Sequence, residues 1–328
     1  MALPPVLQNL RIPLIGSPLF IISNPDLVLA QCKAGVVGSF PALNAREAEG
    51  EEIELDKWLT RITDELDAHN QANPDRPAAP YAVNQIVHRT NGRLERDVEL
   101  CVKHKVPVWI TSLGAQEWVY EAAHSVGATV LHDVINDKFA HKAIEKGADG
   151  LIAVAAGAGG HAGALSPLAL IQEIREWFDG PLYLSGAIAK GDSILAALAM
   201  GADGGYAGSA FIATEEANAV PGYKEMITTH GASDIVYSND FTGVWGNYLR
   251  PSIERAGLDP DNLPGSNPAA MNFAEGTERK KRWKDIWGSG QGIGLVKEVV
   301  PTTVLIDRLA DEFEAAQQRL CGQLGWKK

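Results

Sequence analysis

The chain contains 328 residues, of which 45% are hydrophobic and 21% are charged, as is usual for a packed globular protein. This composition argues against a disordered or collagen-like chain, and the formal net charge of −12 argues against a broad nucleic-acid-binding surface. The dense basic run "RKKRWK" at 279–284 is interpreted as a solvated helix face. Three widely spaced cysteines, none in a CxxC pair, favour neither a disulfide framework nor a zinc site.

The first residues, "MALPPVLQNLRIPLIG", include two prolines and lack the basic region and apolar core of a signal peptide. No apolar stretch of the sequence approaches the length needed to cross a membrane. The sequence therefore predicts a soluble, cytoplasmic protein without membrane or nucleic-acid partners.

Short apolar runs alternate with helical patterns through the first two-thirds of the chain. The first run, "RIPLI" near Arg11, precedes the helical pattern "NPDLVLAQCKA", in which Asn24 is a typical N-cap and Pro25 a typical first-turn residue. A long charged helix is expected from about Glu51 to Asn70. The remaining predicted strands are "GVVGSF", "PYAVNQIV", "VPVWITS", "ATVLHDV", "GLIAVAA", "PLYLSG" and "GGYAGS".

Eight alternating strand–helix units predict an α/β fold, a (β/α)8 TIM barrel. A doubly wound sheet of eight strands would give a similar linear pattern and stays as the alternative. The barrel is favoured because the unusual residues, glycines, serines and histidines, follow directly after the strands. The carboxyl ends of its strands are where a barrel builds its active site.

The alternation is lost after about residue 213. Segments such as "GVWGNYLRPSIERAGL" and "GSNPAAMNFAEG" are interpreted as helices joined by polar loops. The sequence therefore predicts a barrel over 1–213 and a C-terminal helical cap over 214–328. A late loop at 286–295 is expected to return to the barrel mouth. Packing of the tail on the side of the barrel is the alternative.

Two late loops predict a phosphate site. "SGAIAKGDS" follows the seventh strand and "AGSAFIATEE" follows the eighth, and small residues there let backbone N–H groups approach an anion. The predicted phosphate contacts are Ser185, Gly186, Ala187, Gly208 and Ser209. Since neither a GxxxxGK[ST] loop nor an Asp/His metal cluster is present, a monophosphate cofactor without a metal fits best.

The stretch "VAAGAGGHAGALSP" contains G-x-G-x-x-A, as Gly157, Gly159 and Ala162. It does not predict a dinucleotide fold, because it lies in the sixth unit and the next strand ends without an acidic residue. His161 follows two glycines at the expected barrel mouth, where small neighbours leave its imidazole accessible. Imidazole suits proton transfer or anion stabilisation near neutral pH, so His161 is the predicted catalytic residue.

These motifs together resemble one known family. "AGGHAG" after strand six, "SGAIAKG" after strand seven, "GADGGYAGSAF" at strand eight, the early "IPLIGSPLF" and the late "IWGSGQGIGL" are similar to the FMN-dependent nitronate monooxygenases, formerly called 2-nitropropane dioxygenases. The resemblance implies a barrel that holds FMN non-covalently, with its phosphate at the two late loops and His161 as the catalytic histidine. It further implies flavin contacts from Asn84 at the end of strand three, from Gly159, and from Pro18, Leu19 and Phe20 beneath the ring.

The sequence departs from the family pattern at several positions. Gly186-Ala187 replaces a Gly-Gly pair, a tolerable change if Ala187 keeps an ordinary backbone angle. Asp133 stands where some relatives have a flavin-contacting lysine, and Val154 where some have an aspartate. Pro18 and Leu19 replace the more common Gly and Met. These departures leave the substrate open.

The resemblance implies FMN-dependent oxidation of alkyl nitronates with O₂ to a carbonyl compound and nitrite, with His161 and the cofactor acting together. The alternative is an NAD(P)H-dependent FMN reductase of quinones or of an enoyl thioester, because flavin reductases bind nicotinamide without a fingerprint. A non-catalytic flavin- or phosphate-binding barrel is a third hypothesis. The expected partners are small molecules, and the helical tail is compatible with a homodimer.

Overall fold

Eight parallel strands form the centre of the molecule. The computed structural model describes residues 3–47, 53–263 and 285–325. The predicted basic run at 279–284 and the segment "GSNPAAMNFAEG" lie outside the described residues. In chain order the barrel strands are β1 (Leu14–Gly16), β2 (Gly38–Pro41), β3 (Tyr81–Ile86), β4 (Val108–Ser112), β5 (Thr129–Val134), β6 (Gly150–Val154), β8 (Leu182–Ser185) and β9 (Gly204–Ala207).

Closure of the sheet distinguishes a barrel from a doubly wound fold. Each strand pairs in parallel with the next, in the order β1-β9-β8-β6-β5-β4-β3-β2. The two end strands meet where Ile15 pairs in parallel with Val37, whose carbonyl accepts a hydrogen bond from the Gly16 N–H (2.8 Å). The predicted (β/α)8 barrel is therefore confirmed, and the doubly wound alternative is wrong.

The helices follow the strands on the outside of the barrel. Asn24 caps the first as predicted, since its side chain accepts from the Leu27 N–H at 2.9 Å. The expected long helix begins at Glu54 rather than Glu51. The helices are α1 (Pro25–Lys33), α2 (Glu54–Ala72), α3 (Leu94–Lys103), α4 (Glu117–His124), α5 (Asp137–Glu145), α6 (Pro167–Arg175), α7 (Gly191–Met200), α8 (Ser209–Ile212), α9 (Pro221–Thr229), α10 (Arg250–Arg255) and α11 (Thr302–Leu324).

Buried residues divide between the barrel interior and the layer under the helices. On β4, Val108 and Ile110 belong to the inner cluster, whereas Trp109 packs in the outer cluster. This alternation is the period of two of a β-strand. It places every second residue of each strand inside the barrel, and the last inward residue of each strand lies at the mouth.

The tail contains a small antiparallel sheet where only helices were expected. Strands β10 (Ile235–Ser238) and β11 (Gly246–Leu249) pair with each other, and β11 also pairs with β7 (Gly160–His161). The helical interpretation of "GVWGNYLRPSIERAGL" is therefore wrong for its first half, because β11 finds a strand partner far away in the sequence. Only Arg250–Arg255 of this stretch is helical.

The last helix packs on the outside of the barrel. α11 contacts α7 and α1, and the Glu312 carboxylate accepts a hydrogen bond from the Gly191 N–H at 3.0 Å. Asp307 forms an ion pair with Arg11. The predicted division at residue 213 stays a prediction. Within the described residues, no helix is long and apolar enough to cross a membrane.

Candidate active site

A cavity of about 1130 Å³ opens at the carboxyl ends of the barrel strands. Such a position is where barrels bind substrates, since the loops after the strands converge there. The structure brings together all eleven residues for which the sequence predicts a site role, and all of them line this cavity: Pro18, Leu19, Phe20, Asn84, Gly159, His161, Ser185, Gly186, Ala187, Gly208 and Ser209. Their individual roles stay predictions.

Three polar side chains on neighbouring strands form the floor of the cavity. Asn84, Ser112 and Asp133 are inward residues near the carboxyl ends of β3, β4 and β5. The Asn84 amide nitrogen donates to the Ile110 carbonyl (3.1 Å) and to Ser112 Oγ (2.8 Å). Ser112 Oγ in turn donates to Asp133 Oδ2 (2.6 Å). The floor is therefore a continuous hydrogen-bonded row.

Burial changes the ionisation of the floor. It raises the pKa of Asp133 to about 7, against a smaller lowering by the hydrogen bond from Ser112. Burial and the nearby Asp133 carboxyl raise the pKa of Tyr206 well above its usual value, and Tyr206 bonds Ser17. The Asp133 carboxyl is therefore largely protonated below about pH 7 and ionised above it, while Tyr206 stays neutral.

The loop beneath the expected ring position is held by one side chain that the sequence did not suggest. The Asn44 amide nitrogen donates to the carbonyls of Leu19 (2.9 Å) and Ser23 (2.8 Å), while its oxygen accepts from the Ile21 N–H (2.9 Å). Asn44 therefore fixes the backbone on both sides of Phe20. No motif marked Asn44, because its partners lie more than twenty residues earlier in the chain.

The glycine-rich loop is fixed between the barrel and the tail. The Ala162 N–H donates to the Trp245 carbonyl (3.1 Å), and the Asn247 amide donates to the Ala158 carbonyl (2.7 Å). A Cβ on Gly159 would lie 2.7 Å from the Gly290 nitrogen, which is closer than real contacts allow. Glycine is therefore needed here so that the backbone of the late loop can approach the glycine-rich loop.

His161 is half-buried and faces the cavity. Its Nε2 lies 3.0 Å from Thr242 Oγ1, a residue of the tail. Burial lowers the pKa of His161 to about 4, because the charged imidazolium loses hydration in these surroundings. The imidazole is therefore neutral at pH 7.

The two expected phosphate loops differ from the sequence prediction in their backbone. Ala187 has φ of 55° and lies in the left-handed region, so the condition under which alanine is tolerable here, an ordinary backbone angle, is not met. Its N–H donates to the Gly157 carbonyl (3.2 Å). The N-terminus of α7 is already capped by Glu312, and α8 is one turn long. The candidate cradle therefore rests on the backbone of small residues rather than on helix ends.

Exposed apolar side chains surround the mouth of the cavity. They come from the loop after β5, from the start of α5, from the glycine-rich loop and from the tail. Tyr237 stacks on Trp245 with ring centroids 4.9 Å apart, and the Tyr237 hydroxyl donates to the Ala162 carbonyl. We call this set the apolar rim: Ile135, Phe139, Leu165, Tyr237 and Trp245.

The sequence did not indicate several residues of the site. Tyr206 could have been found, since it alternates in register with the other inward positions of the barrel. Thr242 and Tyr237 carried no signal, because only pairing of the tail with β7 brings Thr242 to His161 and Tyr237 to the Ala162 carbonyl. Val154, one of the departures, ends β6 as an apolar inward residue of the cavity.

Comparison with known proteins identifies the family. The sequence model of the nitronate monooxygenase family matches residues 6–312. The chain belongs to this family. As a nitronate monooxygenase family member it is a flavin-dependent oxidoreductase, which confirms the predicted class of enzyme.

Two curated relatives match different shares of the chain. A nitronate monooxygenase of Neurospora crassa is 26% identical over 341 aligned positions, covering 91% of this chain and 88% of the relative. A putative monooxygenase of Mycobacterium tuberculosis is 34% identical over 131 residues, covering 40% of this chain and 35% of that protein.

Solved structures share the fold of this family member. A nitroalkane oxidase from Streptomyces ansochromogenes superposes with a TM-score of 0.78 at 22% identity, covering 96% of this chain and 99% of that one. FabK from Thermotoga maritima superposes with a TM-score of 0.74 at 22% identity, covering 97% of both chains. At this identity the likeness supports the barrel fold alone.

Proposed function

We propose that the protein uses non-covalently bound FMN to oxidise alkyl nitronates with O₂, giving a carbonyl compound and nitrite. The observation that carries this proposal is the position of His161 in the cavity of a chain that belongs to the nitronate monooxygenase family. The catalytic role of His161 and the choice of FMN are part of the proposal.

The residues present fit a flavin mononucleotide. The floor row offers polar atoms to a flat ring, and Asp133 Oδ1 is buried without a hydrogen-bond partner among the described residues. Gly159 and Gly186 allow the loop backbones to pack closely, since a Cβ would lie 2.7 Å from Gly290 N and 2.8 Å from Ala156 O respectively, and both glycines line the cavity with backbone alone. We assign the ring to Pro18–Phe20, Asn84 and Gly159, and the phosphate to Ser185–Ala187 and Gly208–Ser209. When bound, FMN supplies two-electron oxidation of the substrate and reaction with O₂.

His161 suits an anionic substrate. A nitronate has already lost its α-proton, so no strong base is needed, and a neutral imidazole can place one N–H on a nitro oxygen. Binding of an anion beside the ring favours the imidazolium and raises the pKa of His161 from about 4. We therefore infer that His161 takes up a proton as the nitronate binds and stabilises its charge.

The apolar rim favours substrates with an apolar chain. Phe139 and Trp245 are 45% and 49% exposed, and both would lose water contact against an alkyl group. A carboxylate at the same place would lose hydration against these apolar side chains, and Lys142 is the lysine of the cavity lining that could offset this cost. We therefore propose that hexyl nitronate is a better substrate than propionate 3-nitronate.

Oxygen uptake tests the proposal. Purified protein loaded with FMN is mixed with each nitronate in air, and oxygen consumption and nitrite release are followed together. The expected result is consumption of O₂ with nitrite formation, and a higher kcat/KM for the alkyl substrate. The absence of oxygen uptake with both nitronates by fully loaded enzyme contradicts the proposal. Chromatography of the released cofactor identifies FMN separately.

A second candidate is reduction by NAD(P)H. The cavity of about 1130 Å³ exceeds the range of about 300–1,000 Å³ for single small-molecule sites, so it has room for a second substrate beside a cofactor. The barrel likeness to FabK agrees with such a use of the fold. Anaerobic mixing with NADH or NADPH separates the two candidates, because rapid bleaching of the flavin absorbance supports the reductase.

A further inference from the structure

The direction of the hydrogen bonds in the floor row is fixed by one backbone group. The carbonyl of Ile110 can only accept, so the atom of the Asn84 side chain beside it, 3.1 Å away, is the amide nitrogen. The same nitrogen lies 2.8 Å from Ser112 Oγ, so both of its hydrogens are donated. Ser112 therefore accepts from Asn84 and sends its single hydrogen to Asp133 Oδ2, 2.6 Å away.

This order assigns different roles to the two oxygens of Asp133. Oδ2 is an acceptor from Ser112, so a proton on the carboxyl group belongs on Oδ1. Oδ1 is buried and has no hydrogen-bond partner among the described residues, and Asp133 is one of the residues that line the cavity. A buried carboxylate oxygen without a donor is costly, whereas a hydroxyl there can still donate to a ligand.

We propose that Asp133 is a neutral carboxylic acid in the folded protein and that its Oδ1–H donates a hydrogen bond to the molecule bound in the cavity. The raised pKa of about 7 agrees with this assignment. The ligand must place an acceptor, a carbonyl oxygen or a ring nitrogen without hydrogen, on the floor. Identifying that acceptor with the flavin ring rests on the proposed function.

The charged and titratable groups around Asp133 do not supply a cation to hold a carboxylate. Tyr206, across the barrel, has its pKa raised well above the usual value and stays neutral. His161 is neutral above about pH 4. The neighbouring His132 points to the other side of β5, where it bonds Thr111 and Tyr120, and burial lowers its pKa to about 4. Lys142 also lines the cavity, but the pKa of Asp133 is set by burial and by the hydrogen bond from Ser112, without a contribution from this lysine.

The substitution Asp133→Asn tests protonation without reference to any ligand. Its oxygen can accept from Ser112 while its NH₂ group replaces the Oδ1–H. A folded-state pKa of about 7 against 3.8 means that the folded wild type holds a proton that the unfolded chain loses, so its stability falls as the pH rises through this window.

The stability measurement is urea unfolding of the full-length protein without added cofactor, wild type and D133N, from pH 4 to 9. The ratio of the folding equilibrium constants, D133N over wild type, is expected to rise about tenfold per pH unit up to about pH 7 and then level off. His132 and His161 are present in both proteins, so their contribution to the pH dependence cancels in this ratio. A ratio that is flat or falls with pH means that Asp133 is ionised, which overturns the proposal.

FMN binding tests the donor role. The Kd of the wild type is measured from pH 6 to 9. It is expected to rise about tenfold per pH unit above about pH 7, because Asp133 then has to take up a proton when the ligand binds. D133N is expected to bind with a pH-independent Kd, and Asp133→Ala more weakly at every pH. Riboflavin, which lacks the titrating phosphate, is the matched ligand control and is expected to give the same pH slope.

The outcomes distinguish failure of the Asp133 proposal from failure of the FMN proposal. Parallel pH profiles of the wild type and D133N, or unaltered binding by D133A, overturn the donor role even if FMN binds tightly. If the wild type binds neither FMN nor riboflavin, the proposed cofactor is wrong, and the urea experiment still decides whether Asp133 is neutral. D133N occupies the same space as the wild-type side chain, so the test does not depend on folding of D133A.

Discussion

His161 obtains its character at the scale of a single residue from what surrounds it. Two glycines precede it, Thr242 lies against its Nε2, and burial lowers its pKa to about 4. The sequence indicated an accessible imidazole that titrates near neutral pH. In the structure the tail covers the His161 imidazole and excludes water from it. The imidazole is therefore neutral until the charge of a bound ligand favours its protonation.

Replacing His161 with alanine is expected to lower kcat/KM for alkyl nitronates by about 10²–10⁴, since a positioned acid or base contributes this much. The flavin absorbance should be retained, because the imidazole is not among the proposed phosphate contacts. Thr242→Val, which removes the 3.0 Å partner, should cause a smaller loss and shift the pH dependence of kcat/KM.

Steady-state kinetics over a range of pH checks this prediction, with His124→Gln as the control. His124 is exposed on α4, far from the cavity lining, so its replacement should leave turnover unchanged. Full activity of His161→Ala with bound flavin would remove this residue from the mechanism.

At the scale of secondary-structure elements, the glycine-rich loop depends on close backbone approach. Gly159 meets the late loop at Gly290, and Ser209 Oγ accepts from the Gly290 N–H at 2.8 Å. Three segments of the chain therefore share one contact. A side chain at position 159 would separate them.

The substitution Gly159→Ala is expected to lower the free energy of unfolding by about 1–3 kcal/mol, as for other overpacked positions. It should also weaken FMN binding, because the late loop and Ser209 have to move. Gly92→Ala is the matched control, since a Cβ there meets nothing within 4 Å. Equilibrium titration with FMN and urea unfolding measure both effects, and equal behaviour of the two variants would contradict the argument.

At the scale of the whole molecule, the last helix closes the outer layer of the barrel. Leu309 of α11 is 1% exposed, and α11 packs on α7 and α1. Leu309→Ala should therefore lower the free energy of unfolding by about 2–5 kcal/mol, from lost burial and the cavity left behind.

Urea unfolding checks the effect of Leu309→Ala against Val304→Ala. Val304 lies on the same helix and is 47% exposed, so its truncation should change stability by no more than about 0.5 kcal/mol. Since α11 lies outside the barrel, neither variant should alter the affinity for FMN. A loss of cofactor from Leu309→Ala at a pH and temperature where it is folded would contradict this separation of core and site.

Local sequence patterns were sufficient to predict most of the barrel. All eight strands lie within the runs that the sequence marked or within three residues of them, because strands buried on both faces are continuous apolar segments bounded by turns. The helix cap at Asn24 followed from local hydrogen bonding. The predicted site residues gathered at one cavity, since the carboxyl ends of parallel strands share one edge.

The fold of the tail and the protonation states of the site residues were decided only by the tertiary structure. The segment Gly246–Leu249 forms a strand because β10 pairs with one of its edges and β7, more than eighty residues earlier, pairs with the other, and no local pattern contains the β7 partner. The ionisation of Asp133 and His161 likewise depends on water excluded by distant segments. The sequence by itself determined the barrel, through periodicity along the chain, and the residues at its mouth, through their positions after the strands and through the family resemblance. The protonation states and the contacts of His161 depend on long-range packing, which only the folded chain supplies.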